Sequence, residues 1–237
     1  MTGSSRDFLD WSDPVLLEYQ AGAPDQHLYT NAVLPYQRAP HLLLGFPTRY
    51  LPKEGQRVEP TLMISRDRRH FYRWLEAVIP ETAPEDRGGN RSNYMAWGLL
   101  DLPDRPQHFS VYASEAYYTG PDSRLRRFEY RKDGFVSIRA DQAGGHVTTK
   151  TLTFDGTQLS LNYATSGNGQ IRVALLDDQG ESLEGFFLDD CEPLVGDHID
   201  GRVQWKGCSI PKRLIGQPAR VHIELRDADL YSIQFVQ

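Results

Sequence analysis

Several things are scarce or missing in this chain of 237 residues. It has two cysteines, Cys191 and Cys208. They could pair if their strands are neighbours, but with no secretory signal they read as two reduced thiols. No apolar run approaches the roughly 18 residues that a membrane span requires, so no membrane partner is expected. Met1 to Asp10 has no apolar core and carries acidic residues, which is not a secretory signal; localisation stays open. The balance of 26 Lys and Arg against 32 Asp and Glu leaves a net charge of −6. The one basic run, Arg124, Arg126, Arg127, Arg131 and Lys132, alternates with Leu125, Phe128 and Tyr130. That is the solvated face of a strand, and nucleic acid is not expected as a partner. The seven histidines set up no metal spacing, and Asp197-His198-Ile199-Asp200 reads as a turn. Gly88-Gly89 and Gly144-Gly145 lack a phosphate-loop frame. No Ser/His/Asp or Cys/His set can be assembled by spacing.

Helical periodicity is missing too, because no stretch keeps a 3.6-residue period for three turns. Short alternating runs stand in its place. Leu42–Phe46, Thr61–Ile64, Phe109–Ala113 and Arg126–Tyr130 are strand candidates in the first half. Phe135–Ile138, Leu152–Phe154, Leu159–Tyr163, Ile171–Leu175, Arg202–Trp205, Val221–Leu225 and Tyr231–Phe235 follow. The expected fold class is all-β.

One phrase occurs twice. Ser5-Arg6-Asp7-Phe8-Leu9-Asp10-Trp11 is echoed by Ser65-Arg66-Asp67-Arg68-Arg69-His70-Phe71, each reading Ser-Arg-Asp, three spacers and an aromatic. Ser and Asp side chains bond turn backbones, so the phrase predicts a tight turn between antiparallel strands. Its recurrence points to one supersecondary unit used again, as in propeller blades. Near Asp133-Gly134 the character changes. Long aromatic and Arg-rich loops give way to regularly spaced strands with tight turns at Asp155-Gly156, Gly167-Asn168-Gly169 and Asp177-Asp178-Gln179-Gly180. Regular spacing of that kind reads as a β-sandwich. The expected domains are 1–132, propeller blades, and 133–237, a C-terminal sandwich.

Further segments carry a resemblance. Leu28-Tyr29-Thr30-Asn31-Ala32, Arg38-Ala39-Pro40-His41, Gly45-Phe46-Pro47-Thr48-Arg49-Tyr50 and Asn90-Arg91-Ser92-Asn93-Tyr94 are among them. So are Glu115-Ala116-Tyr117-Tyr118, Trp205-Lys206-Gly207 and Asp227-Ala228-Asp229-Leu230-Tyr231-Ser232. Together they resemble bacterial glycoside hydrolase family 32-like proteins, across nearly the whole chain. The resemblance implies a five-bladed propeller followed by a sandwich. At about 60 residues per blade, such a propeller needs roughly twice what precedes position 132, so only its last blades are expected here. It also implies a nucleophile in a Trp-Asn-Asp-Pro-type motif. Trp11-Ser12-Asp13-Pro14 departs from that motif and directly follows the repeated phrase, so Asp13 reads as turn chemistry.

Glycosidic cleavage uses two carboxyl groups, one an acid with a raised pKa. Glu115, alone among aromatic and small residues, is the expected acid, with its pKa raised by desolvation. A structural Glu paired with Arg is the competing role. Glu59, after the loop 51–58, is the second catalytic candidate. Arg38, Arg49 and Arg91 are candidates for binding substrate or for holding a carboxylate. Asn31, Asn90 and Asn93 are candidate hydroxyl ligands. Tyr29, Tyr36, Tyr94, Trp97, Tyr117 and Tyr118 suit either sugar stacking or the core. The expected function is a glycoside hydrolase acting on oligo- or polysaccharide, needing no cofactor and no metal. The alternative is a non-catalytic carbohydrate-binding or scaffold module. A third reading has exposed blade edges driving homo-oligomer formation.

Overall fold

The computed structural model describes residues 1–80, 92–116 and 123–237. The fold is all-β: fifteen strands and two single-turn 3₁₀ segments, with no α-helix among the described residues. No helix there is long and apolar enough to cross a membrane. The chain forms two compact units, Met1–Glu129 and Tyr130–Gln237.

The first unit holds two successive, largely antiparallel sheets, the order expected of propeller blades. Its first sheet contains β1 (Glu18–Tyr19), β2 (Leu34–Tyr36), β3 (Ala39–Gly45), β4 (Thr48–Leu51), β5 (Arg57–Ser65) and β6 (His70–Ala77). The path is β1-β6-β5-β3-β2, with β4 also on β5 and β1 parallel to β6. Strand β5 is the axis of this sheet and is buried continuously from Val58 to Met63. Strand β6 alternates, with Phe71 and Arg73 inward and Tyr72 outward, as a half-covered strand must.

The second sheet contains β7 (Asn93–Met95), β8 (Leu100–Asp101), β9 (His108–Glu115) and β10 (Arg124–Arg131), ordered β10-β9-β7 with β8 also on β9. Side chains tie it to the first sheet. The Val58 amide donates to Ser92 Oγ (3.1 Å), Asn93 Nδ2 donates to the Ile79 carbonyl (3.1 Å), and Tyr36 meets Phe109 edge-on at 6.0 Å.

The repeated phrase forms the predicted turn. Ser65 Oγ accepts from the amides of Asp67 (3.3 Å) and Arg68 (2.9 Å). Asp67 Oδ1 accepts from those of Arg69 (3.0 Å) and His70 (2.8 Å). The turn joins β5 to β6 antiparallel, with Ser65 opposite Phe71.

The second unit has one five-stranded sheet: β11 (Ile138–Ala140), β12 (Gly145–Thr148), β13 (Gln158–Leu176), β14 (Asp197–Arg202) and β15 (Arg220–Val236). The order is β11-β15-β13-β14, with β12 also on β15. The two long strands correct the sequence reading, because Leu159–Tyr163 and Ile171–Leu175 are one strand, as are Val221–Leu225 and Tyr231–Phe235. Gly167-Asn168-Gly169 is no turn. It lies in a bulge where the β13–β15 register jumps between Thr165 and Gln170, against Asp227 at φ 46°. Both halves of the bent sheet line one core, from Leu159, Leu161 and Tyr163 to Ile171, Val173 and Leu175, with Trp205 among them. The buried indole donates to the Val173 carbonyl (2.9 Å), which removes the cost of burying its N–H. Leu152–Phe154 is not a strand but a single bridge, Leu152 with Ala219, and Phe154 stacks on Phe235 at 4.0 Å. Arg202–Trp205 begins where β14 ends. Cys191 is buried, Cys208 is exposed, and both are free thiols.

Candidate functional site

The end of β9 carries Glu115 opposite Asn93 of β7. Its side chain is fully buried, and Oε1 is shared by two guanidinium groups, Arg124 Nε and Arg126 Nε, the latter at 2.8 Å. The two arginines stand two residues apart on β10, so the strand's alternation puts both on one face. Burial pushes the Glu115 carboxyl upward. The hydrogen bonds and charges of Arg126 and Arg124 more than offset it, and the net pKa is lowered. This corrects the expected raised pKa. The desolvated surroundings are present, but a carboxyl held by two cations is ionised at neutral pH.

Glu59 lies on β5 directly across from Arg49 of β4. It is 4% exposed. Its Oε1 accepts from both Nε (2.8 Å) and Nη2 of Arg49, and Arg57 Nε stands 3.6 Å from Oε2. Arg49 Nη1 donates to the Leu75 carbonyl. Arg49 and Glu59 are therefore brought together, as mutual partners.

Of the other predicted residues that are described, Asn93 lies opposite Glu115. Arg38 sits in the exposed turn between β2 and β3, and Asn31 is exposed with its carbonyl accepting from the Phe46 amide (2.9 Å). Tyr94 is half-buried on β7 opposite Ser114. Arg91 and Tyr117 lie outside the described residues, as do Asn90 and Tyr118.

Three cations escaped the sequence reading. Arg124 and Arg126 look like a solvated strand face until their carboxylate is seen. The available signal was the lone Glu115 in an apolar run, which needs a counter-charge. Arg73 is the third. It is 2% exposed, lies 4.9 Å from the Tyr19 ring centre, donates to the Pro24 carbonyl, and is pulled below its ordinary pKa by burial.

Surface aromatics form a different kind of feature. Trp97 is 69% exposed, yet its indole N–H donates to the Val33 carbonyl at 3.0 Å. Tyr29, 54% exposed, stacks on Tyr50 at 5.2 Å and 23°. A ring exposed on one face and anchored on the other is a preformed stacking surface.

No protein-family model matches the sequence, and no curated protein does. Among solved structures, the chain is similar to a glycoside hydrolase family 43 arabinoxylan arabinofuranohydrolase from Bacillus subtilis, crystallised with cellotetraose. Identity is 10%, the TM-score is 0.26, and the match covers 88% of this chain and 54% of that one. The chain thus spans about half the length of that enzyme. The likeness is loose and lends no residue a role.

Proposed function

We propose that this chain is a carbohydrate-binding all-β protein and does not itself cleave glycosidic bonds. The observation that carries the reading is Trp97, an exposed indole held in place by its own hydrogen bond. A fixed aromatic plane stacks on a sugar face with little loss of side-chain freedom. The Tyr29–Tyr50 stack supports the same role, and exposed Arg38 and Asn31 supply donors for hydroxyls. The resemblance in the sequence points to the same class of ligand, with blades in 1–132 and an accessory sandwich in 133–237.

The hydrolytic alternative assigns the acid to Glu115 and the second carboxyl to Glu59. Cleavage requires an acid within hydrogen-bond reach of the glycosidic oxygen. Two buried carboxylates that each already engage arginine argue against that role.

The test is a titration with xylo-, cello- and arabino-oligosaccharides read by tryptophan fluorescence, beside an aryl-glycoside hydrolysis panel. The expected result is binding without turnover, weakened about fivefold to tenfold in Trp97→Ala, the worth of one aromatic contact. Turnover that disappears in Glu115→Gln would restore the hydrolytic reading. Absence of binding to any saccharide would overturn the proposal.

A further inference from the structure

The second unit carries a polar depression that neither carboxylate cluster involves. It measures about 440 Å³ and is lined by Gly144, His146, Gln170, Arg172, Glu224 and Arg226 among others. Strand register explains the grouping. Gln170 lies opposite Arg226, Arg172 opposite Glu224, and His146 opposite Glu224. Opposed residues project from the same face of a sheet, so three strands contribute to one platform. The inward residues of these strands, Ile171, Val173, Ile223 and Leu225, belong to the core. The platform is therefore the outer face. Gly144, at φ +81°, borders the depression, where a Cβ would stand 3.3 Å from the Leu225 carbonyl oxygen and 4.0 Å from the Arg226 Cβ.

A polar outer face is ordinary. What sets this one apart is how little its charged groups are engaged. Arg226 has no side-chain hydrogen bond or ion pair among the described residues, and Glu224 has none either. Arg172 Nε is buried without a partner, and its Nη1 reaches only a fully exposed Asp189 at 3.5 Å. Arg172 and Arg226 stand beside a single lining carboxylate, Glu224, with the exposed Asp189 reaching Arg172 from outside the depression.

We propose that this platform binds the anionic group of an acidic saccharide, a uronate carboxylate or a sulfate ester, between Arg172 and Arg226. Guanidinium groups engage either oxyanion bidentately. Glu224 accepts from neighbouring hydroxyls, and Gln170 and His146 add further hydroxyl contacts. The depression has the size of a small ligand pocket. The inference rests on the carbohydrate-binding reading and adds to it a second, charge-selective subsite.

The experiment is calorimetric titration of the full chain with trigalacturonate, a carrageenan oligosaccharide and neutral xylotriose. It compares the unaltered protein, the Arg172→Gln/Arg226→Gln double variant and Glu224→Gln. The double variant should weaken acidic-saccharide binding by about tenfold or more, the usual worth of a charge-assisted pair. Xylotriose binding should be untouched. Glu224→Gln should strengthen the acidic ligands, an opposite sign that a misfolded protein cannot mimic. Response to trigalacturonate alone identifies a uronate site, and response to carrageenan alone identifies a sulfate site. Acidic-saccharide binding that ignores all three substitutions overturns the inference, as does xylotriose binding with no acidic-saccharide binding. Failure of every saccharide overturns both this inference and the proposed function.

Discussion

Asp67 repeats the turn-forming bonds of Asp7. Asp7 Oδ1 accepts from the amides of Leu9 (2.9 Å) and Asp10 (3.0 Å), as Asp67 Oδ1 does from Arg69 (3.0 Å) and His70 (2.8 Å). Ser5 Oγ takes the Phe8 amide at 2.8 Å, and Ser65 Oγ takes that of Arg68 at 2.9 Å. The residue after each Asp has positive φ, Phe8 at 65° and Arg68 at 71°. One side-chain device thus builds two turns. The first closes a bridge from Ser5 to Trp11 and the second joins β5 to β6.

If the device is structural, its acceptor atoms matter more than its charge. Asp67→Ala removes both amide partners and should lower the thermal midpoint by several degrees, whereas Asp67→Asn keeps an acceptor oxygen and should cost much less. Equal losses from the two variants would mean that charge, not turn geometry, holds this corner.

Charge does act one step further out. His70 Nδ1 meets Asp67 Oδ2 at 2.6 Å, and its Nε2 meets Glu18 Oε2 at 2.7 Å. With a carboxylate at each nitrogen, both must donate, so the ring is an imidazolium. Its pKa is raised above 6.5, chiefly by Asp67. A raised pKa gives stability that is complete below the unfolded value and lost as pH climbs through the folded one. Asp67 and Glu18 are lowered from 3.8 and 4.5, so their share is present above those values and lost in acid. The clamp tying β1 to β6 should therefore be strongest between pH 4.5 and 6.5. The protection factor of the Glu18 amide, which donates to the Arg69 carbonyl, should fall above that window in the unaltered protein and change little in His70→Gln. An NMR titration placing the His70 midpoint at or below 6.5 would sink the idea.

What could be read from the chain, and what could not, follows the range of the interaction. The Ser-Arg-Asp turn is local chemistry within six residues, so it was legible. Strand β9 declared itself by the apolar run around Phe109–Ala113. The pairing of Glu115 with Arg124 and Arg126 was not legible, because the counter-charges lie on the next strand and look solvated in isolation. Likewise, Gly167-Asn168-Gly169 carries the same residues that a tight turn demands. A bulge asks for glycine for another reason, the close approach of the opposing backbone, and that backbone lies more than fifty residues away. Arg49 and Glu59 were both singled out, Glu59 as a catalytic carboxyl and Arg49 for binding substrate or holding a carboxylate, but their pairing with each other was not legible.

The ion-pair reading of Glu115 makes a stability prediction. Glu115→Gln leaves two arginines aimed at a neutral amide in a buried position, which should cost on the order of 2 kcal/mol in urea denaturation. Arg126→Gln, whose side chain is 36% exposed, leaves Arg124 in place and should cost less. A double-mutant cycle should return a coupling between Glu115 and Arg126. Unchanged stability in Glu115→Gln would remove the structural role and return this carboxylate to the list of functional groups.

The bulge supplies the sharpest contrast, because two glycines two residues apart should behave oppositely. A Cβ at Gly169 would stand 2.2 Å from the Asp227 carbonyl oxygen and 2.9 Å from that of Arg226. Both are backbone atoms of β15, which cannot swing aside as a side chain can. Gly169→Ala must therefore part the two long strands that frame the second unit's core, at about 3 kcal/mol. Gly167 has open space around its missing Cβ and no positive φ to protect. There, alanine restricts the unfolded chain without a clash, so Gly167→Ala should be neutral or slightly stabilising. Chemical denaturation of both variants decides the matter. If Gly169→Ala were tolerated as well as Gly167→Ala, the residues would be acting as an ordinary flexible turn, and the continuous course of β13 would have to be abandoned.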